Sequence, residues 1–151
     1  MDSALTNLIT DDRVMIRRRV RDWRQAIAAA AEPLVADGSI TPDYVRSMIR
    51  SVEKYGPYIV LTPHMALAHA RPEGGVNREA MSVMTLAEPV EFGHEENDPV
   101  SIVFCLAAVD NDSHLQALRQ FVVVAKDAPR LERLVQASSV RQFQQVLHES
   151  G

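Results

Sequence analysis

The chain has one cysteine, one tryptophan and only 5% aromatic residues. The lone Cys105 leaves no internal disulfide framework and no multi-cysteine zinc site. No apolar run reaches the roughly 18–20 residues that cross a bilayer. Basic charge is also short: 16 Lys+Arg against 20 Asp+Glu gives −4, which argues against a broad nucleic-acid-binding surface. There is no internal repeat, and the only biased stretch is the alanine-rich run from Ala26 to Ala31. Met1-Asp2-Ser3-Ala4 lacks the basic start and apolar stretch of a secretion signal, which predicts a cytosolic protein without membrane insertion.

What is present is the composition of a globular protein, 46% hydrophobic and 24% charged over 151 residues. That length suits one domain spanning 1–151, and the longest linker-like stretch, Gly93 to Pro99, is too short to separate two. Strand and helix signals alternate. Val14, Ile16 and Val20 share one parity while Arg17, Arg19 and Arg21 share the other, predicting a strand over 13–20 with its arginines on the outer face of a sheet edge. Asp22 and Gln25 form a capping pair for a helix that Gly38 stops, and Thr41-Pro42 opens a second helix to about Lys54. Tyr58 to Leu61 reads as a short strand, whereas 62–79, with Pro63, Pro72, Gly74 and Gly75, reads as irregular. Ala80 to Leu86, continued by Val90 and Phe92, and the apolar run Val100 to Val109 read as strands, the second buried on both faces. Ser113 with Gln116, Pro129, and Ser139 with Gln142 then open three helices, the first presenting Leu115, Leu118, Val122 and Ala125. The expected fold is α/β: a three-layer α/β/α sandwich with a central mixed sheet.

The histidines carry the candidate chemistry. His148 is a terminal surface residue, and His94 lies in an acidic turn whose carboxylates favour a charged imidazole and a loop-fixing role. His69 sits in the irregular segment between Ala68 and Ala70, small neighbours that leave its ring open to a large partner. Arg71 adds a fixed positive charge suited to phosphate. His114 falls in the first turn of the helix that Ser113 caps, where unpaired amides and the helix dipole accommodate an anion and favour a neutral ring. Cys105, in the middle of an apolar strand, reads as an inert core thiol, and Met48, Met65, Met81 and Met84 as core filling.

The stretch Tyr55 to Val76, YGPYIVLTPHMALAHARPEGGV, resembles the phosphorylation-site segment of the enzyme IIA domains of the mannitol–fructose type in the sugar phosphotransferase system, nearest the ascorbate-like branch. The piece Pro89 to Val100 and the junction from Ala107-Ala108-Val109-Asp110 to Ser113-His114 resemble the same branch, in the same order. The resemblance implies the mannitol-type IIA fold, with His69 as phosphoryl acceptor forming a tele-phosphohistidine and His114 as phosphate stabiliser. Arg71 and Ser113 are the candidate phosphate-supporting residues, Arg71 being the nearest cation in sequence, and which cation replaces the arginine of the mannitol and fructose branches stays open. It implies no metal and no other cofactor. HPr would be the donor, and a cysteine of a cognate enzyme IIB the acceptor, serving a membrane enzyme IIC that takes up ascorbate or a related sugar or polyol. Two departures stand out: Ala68 occupies the position usually held by proline, and Glu53 the position of an arginine in the mannitol and fructose branches. Glu53 and His64 are candidate rim residues. Whether the role is transport or regulation stays open, as does a homodimer. A competing reading is a metal-dependent hydrolase using His64, His69 and His114, although a five-residue spacing in a Pro-containing loop is a weak metal signature.

Overall fold

The computed structural model describes residues 7–71 and 75–149, with the backbone alone at 111, 113, 114, 116 and 117. Its strands are β1 (Val14–Arg18), β2 (Val60–Thr62), β3 (Met65–Ala68), β4 (Ala80–Val90) and β5 (Val100–Ala107). They form one mixed sheet in the order β1-β4-β5-β3-β2. β1 with β4 and β3 with β5 are parallel; β4 with β5 and β2 with β3 are antiparallel. The helices are α1 (Trp23–Ala36), α2 (Pro42–Tyr55), α3 (Asn111–Ala125), α4 (Ala128–Gln136) and α5 (Val140–Leu147).

Strand alternation divides the apolar residues between two cores. Ala66, Ala68, Met84, Val103, Cys105 and Ala107 face α1 and α2, where Ile27, Leu34, Tyr44 and Met48 cover them. Met65, Leu67, Met81, Val83, Phe104 and Leu106 face α3 to α5, against Phe121, Leu134, Phe143 and Val146. The first core is rich in alanine, and the fully buried Ala26, Ala30 and Ala31 bring α1 close enough for Ser82 Oγ on β4 to donate to Ala30 O at 2.5 Å. The second is aromatic, with Phe104 edge-on to Phe121 at 4.9 Å between ring centres. With both faces covered, the molecule is the expected three-layer sandwich with β5 at the sheet's centre.

Several boundaries differ from the sequence reading. The segment 62–79 is not wholly irregular: it contains β3, which its sequence Met-Ala-Leu-Ala disguises because it lacks the β-branched residues that mark strands. Burial on both faces makes it a strand, since all four of its residues are fully covered. Helix α3 begins at Asn111, so Ser113 lies within its first turn and is not its cap. Among the described side chains of α3, Leu118, Phe121, Val124 and Ala125 pack inward, Leu118 and Ala125 as expected, while Leu115 and Val122 are exposed. Thr41 precedes α2 as expected but forms no side-chain cap bond. Asp22 and Ser139 do cap, accepting from the amides of Gln25 and Gln142.

Candidate active site

Strands β3 and β5 run parallel and end side by side, with Ala68 opposite Cys105. In α/β sheets such carboxyl ends are where ligands are held. His69 is the first residue beyond β3, half-buried, and its Nδ1 lies 2.7 Å from Leu67 O. A carbonyl only accepts, so Nδ1 carries the proton and the ring's lone pair is on Nε2. The ring meets Tyr58 edge-on at 5.5 Å and 84°, and the Tyr58 hydroxyl donates to His69 O at 3.2 Å. The next residue is held from the other side: Ala70 N donates to the buried Tyr44 Oη at 3.0 Å, and that hydroxyl lies 3.0 Å from Leu106 O. Burial pushes both phenols above their ordinary values, so both stay protonated donors at neutral pH.

Beyond Ala70, Arg71 is exposed and has no ion-pair partner among the described residues. The chain returns at Gly75, which must be glycine: its φ is +111°, and a Cβ there would stand 2.3 Å from Thr41 Oγ1. Gly75 O accepts from Thr41 N at 2.9 Å, and Asn77 N donates to Ser39 O at 2.8 Å, anchoring the returning segment to the start of α2. Asp37 fixes the neighbouring turn. Burial alone would raise its carboxyl, but hydrogen bonds from Ser39 and Arg13 outweigh that and hold it below the ordinary carboxylate value. At the same end of the sheet, Glu79 stands just before Ala80, which pairs with Ala107. Burial and the nearby Asp110 charge raise the Glu79 carboxyl. Helix α3 starts four residues after β5 ends and brings the backbone of Ser113 and His114 to this end; the side chains of both lie outside the described residues.

The structure separates the remaining candidates from His69. His64 stands at the opposite end of β3, about 16 Å away along five extended residues. It is exposed, its Nδ1 is 2.8 Å from Pro99 O, and it borders a groove of about 560 Å³ walled by Pro63, Ile102, Leu131 and Val135. It is therefore not a rim residue of the His69 site, and a metal centre shared by His64 and His69 is geometrically ruled out. Glu53 is likewise drawn elsewhere: Arg24 Nε and Nη2, in the first turn of α1, both hold its carboxylate at 3.1 Å. Neighbouring Trp23 packs on Phe92 beyond the far end of β4. Cys105 is fully buried, and burial pushes its thiol up to about 12, as an inert core group. His94 fixes its loop as expected, but as a neutral ring: its Nδ1 accepts from the amides of Glu96 and Asn97 at 3.3 and 3.1 Å, which requires a lone pair there.

A histidine with Nδ1 held on a carbonyl at paired parallel strand ends, with a helix start nearby and an exposed arginine two residues on, suits transfer of a small anionic group. The model of the family described as phosphoenolpyruvate-dependent sugar phosphotransferase system, EIIA 2, matches residues 7–150. The chain belongs to this family. It is 35% identical over 129 residues to the ascorbate-specific phosphotransferase-system EIIA component of Salmonella typhimurium, covering 85% of this chain and 84% of that one. Among solved structures, the mannitol-specific cryptic enzyme IIA CmtB of Escherichia coli superposes with a TM-score of 0.87 at 29% identity, covering 95% and 97% of the two chains. The mannitol IIA of Escherichia coli, in its complex with phosphorylated enzyme IIB, gives 0.81 at 26% identity, covering 93% and 98%. As an EIIA component the protein is a phosphotransferase of the sugar phosphotransferase system, and its fold is that of the mannitol-type IIA domains.

The sequence reading missed Tyr44, Tyr58, Glu79 and Asp110. Tyr58 reaches His69 because β2 folds back on β3 with Val60 opposite Ala66, a pairing invisible once 62–79 is read as irregular. Tyr44 is the inward residue of the first turn of an amphipathic helix, which gives no local sign that its hydroxyl serves the loop. For Glu79 and Asp110 the missing information is the β4–β5 register.

Proposed function

We propose that this EIIA domain takes a phosphoryl group from phosphohistidine of HPr onto Nε2 of His69 and passes it to a cysteine thiolate of a cognate enzyme IIB. Enzyme IIC then moves ascorbate or a related sugar or polyol across the membrane. The observation that carries the reading is the 2.7 Å approach of His69 Nδ1 to Leu67 O, because it leaves the nucleophilic pair on Nε2. In the first step Nε2 forms a bond to phosphorus as the N–P bond of the donor histidine breaks, returning the electron pair to the donor ring. Nδ1–H stays in place, and the Leu67 carbonyl offsets the positive charge the His69 ring acquires. In the second step the IIB thiolate attacks phosphorus, and the N–P bond on His69 breaks to restore the neutral imidazole.

Such transfer depends on positioning and charge stabilisation. Arg71, the amides of the first α3 turn including Ser113, and a hydrogen bond from His114 stabilise the oxygens in flight. No metal or nucleotide enters the scheme. The IIB partner is supported by the solved complex of a structurally similar mannitol IIA with its phosphorylated IIB. A cytoplasmic site of action fits the described residues, which include no helix long and apolar enough to cross a membrane. The test is labelling of the purified protein by phosphoenolpyruvate, enzyme I and HPr, followed by peptide mapping. Label in the peptide containing His69, transferable to IIB, is the expected result; label elsewhere rejects it.

A further inference from the structure

The His69–Ala70 peptide group is gripped on both edges. Its carbonyl, His69 O, accepts from Tyr58 Oη at 3.2 Å, and its amide, Ala70 N, donates to Tyr44 Oη at 3.0 Å. In a trans peptide these two groups point in opposite directions, so the two phenols fix one plane from opposite sides. Each is anchored in turn. The single proton of Tyr44 is shared between Leu106 O at 3.0 Å and Ala70 O at 3.2 Å, tying the loop to the end of β5. Tyr58 sets its ring edge-on against the imidazole at 5.5 Å. Fixing the plane fixes ψ of residue 69 and φ of residue 70, the torsions that swing the histidine relative to the sheet. The neighbours cannot do this themselves: Ala66, Ala68 and Ala70 carry only methyl side chains, and position 68 lacks the ring that locks φ in a proline.

We propose that Tyr44 and Tyr58 are positioning residues, a two-phenol clamp on the 69–70 peptide that aims the His69 ring and replaces the backbone rigidity of a preceding proline. This inference rests on the reading of His69 as phosphoryl acceptor, and its consequence for rate is lost if that reading fails. The clamp itself is read without phosphate. Tyr58→Phe and Tyr44→Phe in the full chain each remove one hydroxyl and keep the ring. In ¹⁵N spectra of the unphosphorylated protein, Tyr58→Phe shifts the His69 ring away from a single Nδ1–H tautomer. Tyr44→Phe accelerates exchange of the Ala70 amide by about 10-fold or more. In transfer from phospho-HPr each variant loses about 10-fold in turnover with KM changed less than about twofold, the signature of a misaimed nucleophile.

Wild-type ring nitrogen shifts and wild-type Ala70 exchange in the variants overturn the clamp. A raised KM at unchanged turnover also overturns it, by making Tyr58 a contact for the donor protein. Should Tyr44→Phe fail to fold, because it strands the Leu106 carbonyl and Ala70 amide in the core, the half-exposed Tyr58→Phe decides alone. Label mapping away from His69 in the wild type defeats the phosphoryl reading, while the ring and amide signals still judge the clamp.

Discussion

His64 and His69 bracket the same four-residue strand, and each has its Nδ1 on a backbone carbonyl, Pro99 O at 2.8 Å and Leu67 O at 2.7 Å. The surroundings differ. His64 sits in a tight turn with a left-handed backbone, φ 70°, its ring exposed beside an apolar groove. His69 follows the strand's other end, half-buried, with two phenols on its peptide and the start of α3 nearby. Locking a histidine tautomer is therefore common to both ends, and what distinguishes His69 is the frame that holds its backbone, with the start of α3 nearby. A ring bound by a carbonyl closes an exposed turn at one end of β3 and stands in a framed, half-buried setting at the other.

That contrast breaks most sharply in a pair of variants. His69→Ala abolishes labelling by phospho-HPr, whereas His64→Ala is labelled at the wild-type rate, measured by incorporation of ³²P from phosphoenolpyruvate. Equal loss in both erases the distinction. Next in size is His114→Ala, which slows transfer by about 100-fold with an unchanged circular dichroism spectrum, as expected for one lost donor to the phosphoryl oxygens. An unchanged rate removes His114 from the site.

The third difference appears in stability instead of rate. His64→Ala loses its bond to Pro99 O and costs about 1 kcal/mol in urea unfolding, with transfer intact. No loss would mean that the turn is held without the ring. The smallest effect concerns Glu79, at the His69 end. Its carboxyl is raised by burial and by Asp110, so the folded state binds this proton more tightly than the unfolded chain does. Ionised Glu79 therefore weakens the fold at neutral pH, and the penalty disappears as pH falls below the ordinary glutamate value. Glu79→Gln should raise the unfolding midpoint at pH 7 and leave it unchanged near pH 4; a gain that persists at pH 4 contradicts this origin.

Much of this was legible from residues alone, and the reason lies in how local each signal is. Asp22, Ser139 and the apolar run at 100–109 announce their elements within a few positions, and the ordered motifs around His69 and His114 carried the family. The failures share one cause, dependence on strand pairing. Met65 to Ala68 has helix-favouring residues and becomes a strand only between β2 and β5, so the hairpin that delivers Tyr58 to His69 was hidden with it. His64 is a rim candidate only five positions before His69 in sequence, yet the four residues between them are the extended strand β3, which sets the two at its opposite ends. Glu53 matched a family position, but Arg24 across the helix pair claims its carboxylate.

The claim at the centre is that His69 accepts the phosphoryl group on Nε2 because Leu67 O holds the proton on Nδ1. Combined ³¹P and ¹⁵N NMR of the phosphorylated, histidine-labelled protein reads the bonded nitrogen directly. A phosphorus coupling at Nε2 of His69, with Nδ1 still protonated, is the predicted spectrum; coupling at Nδ1, or at any other residue, contradicts the account.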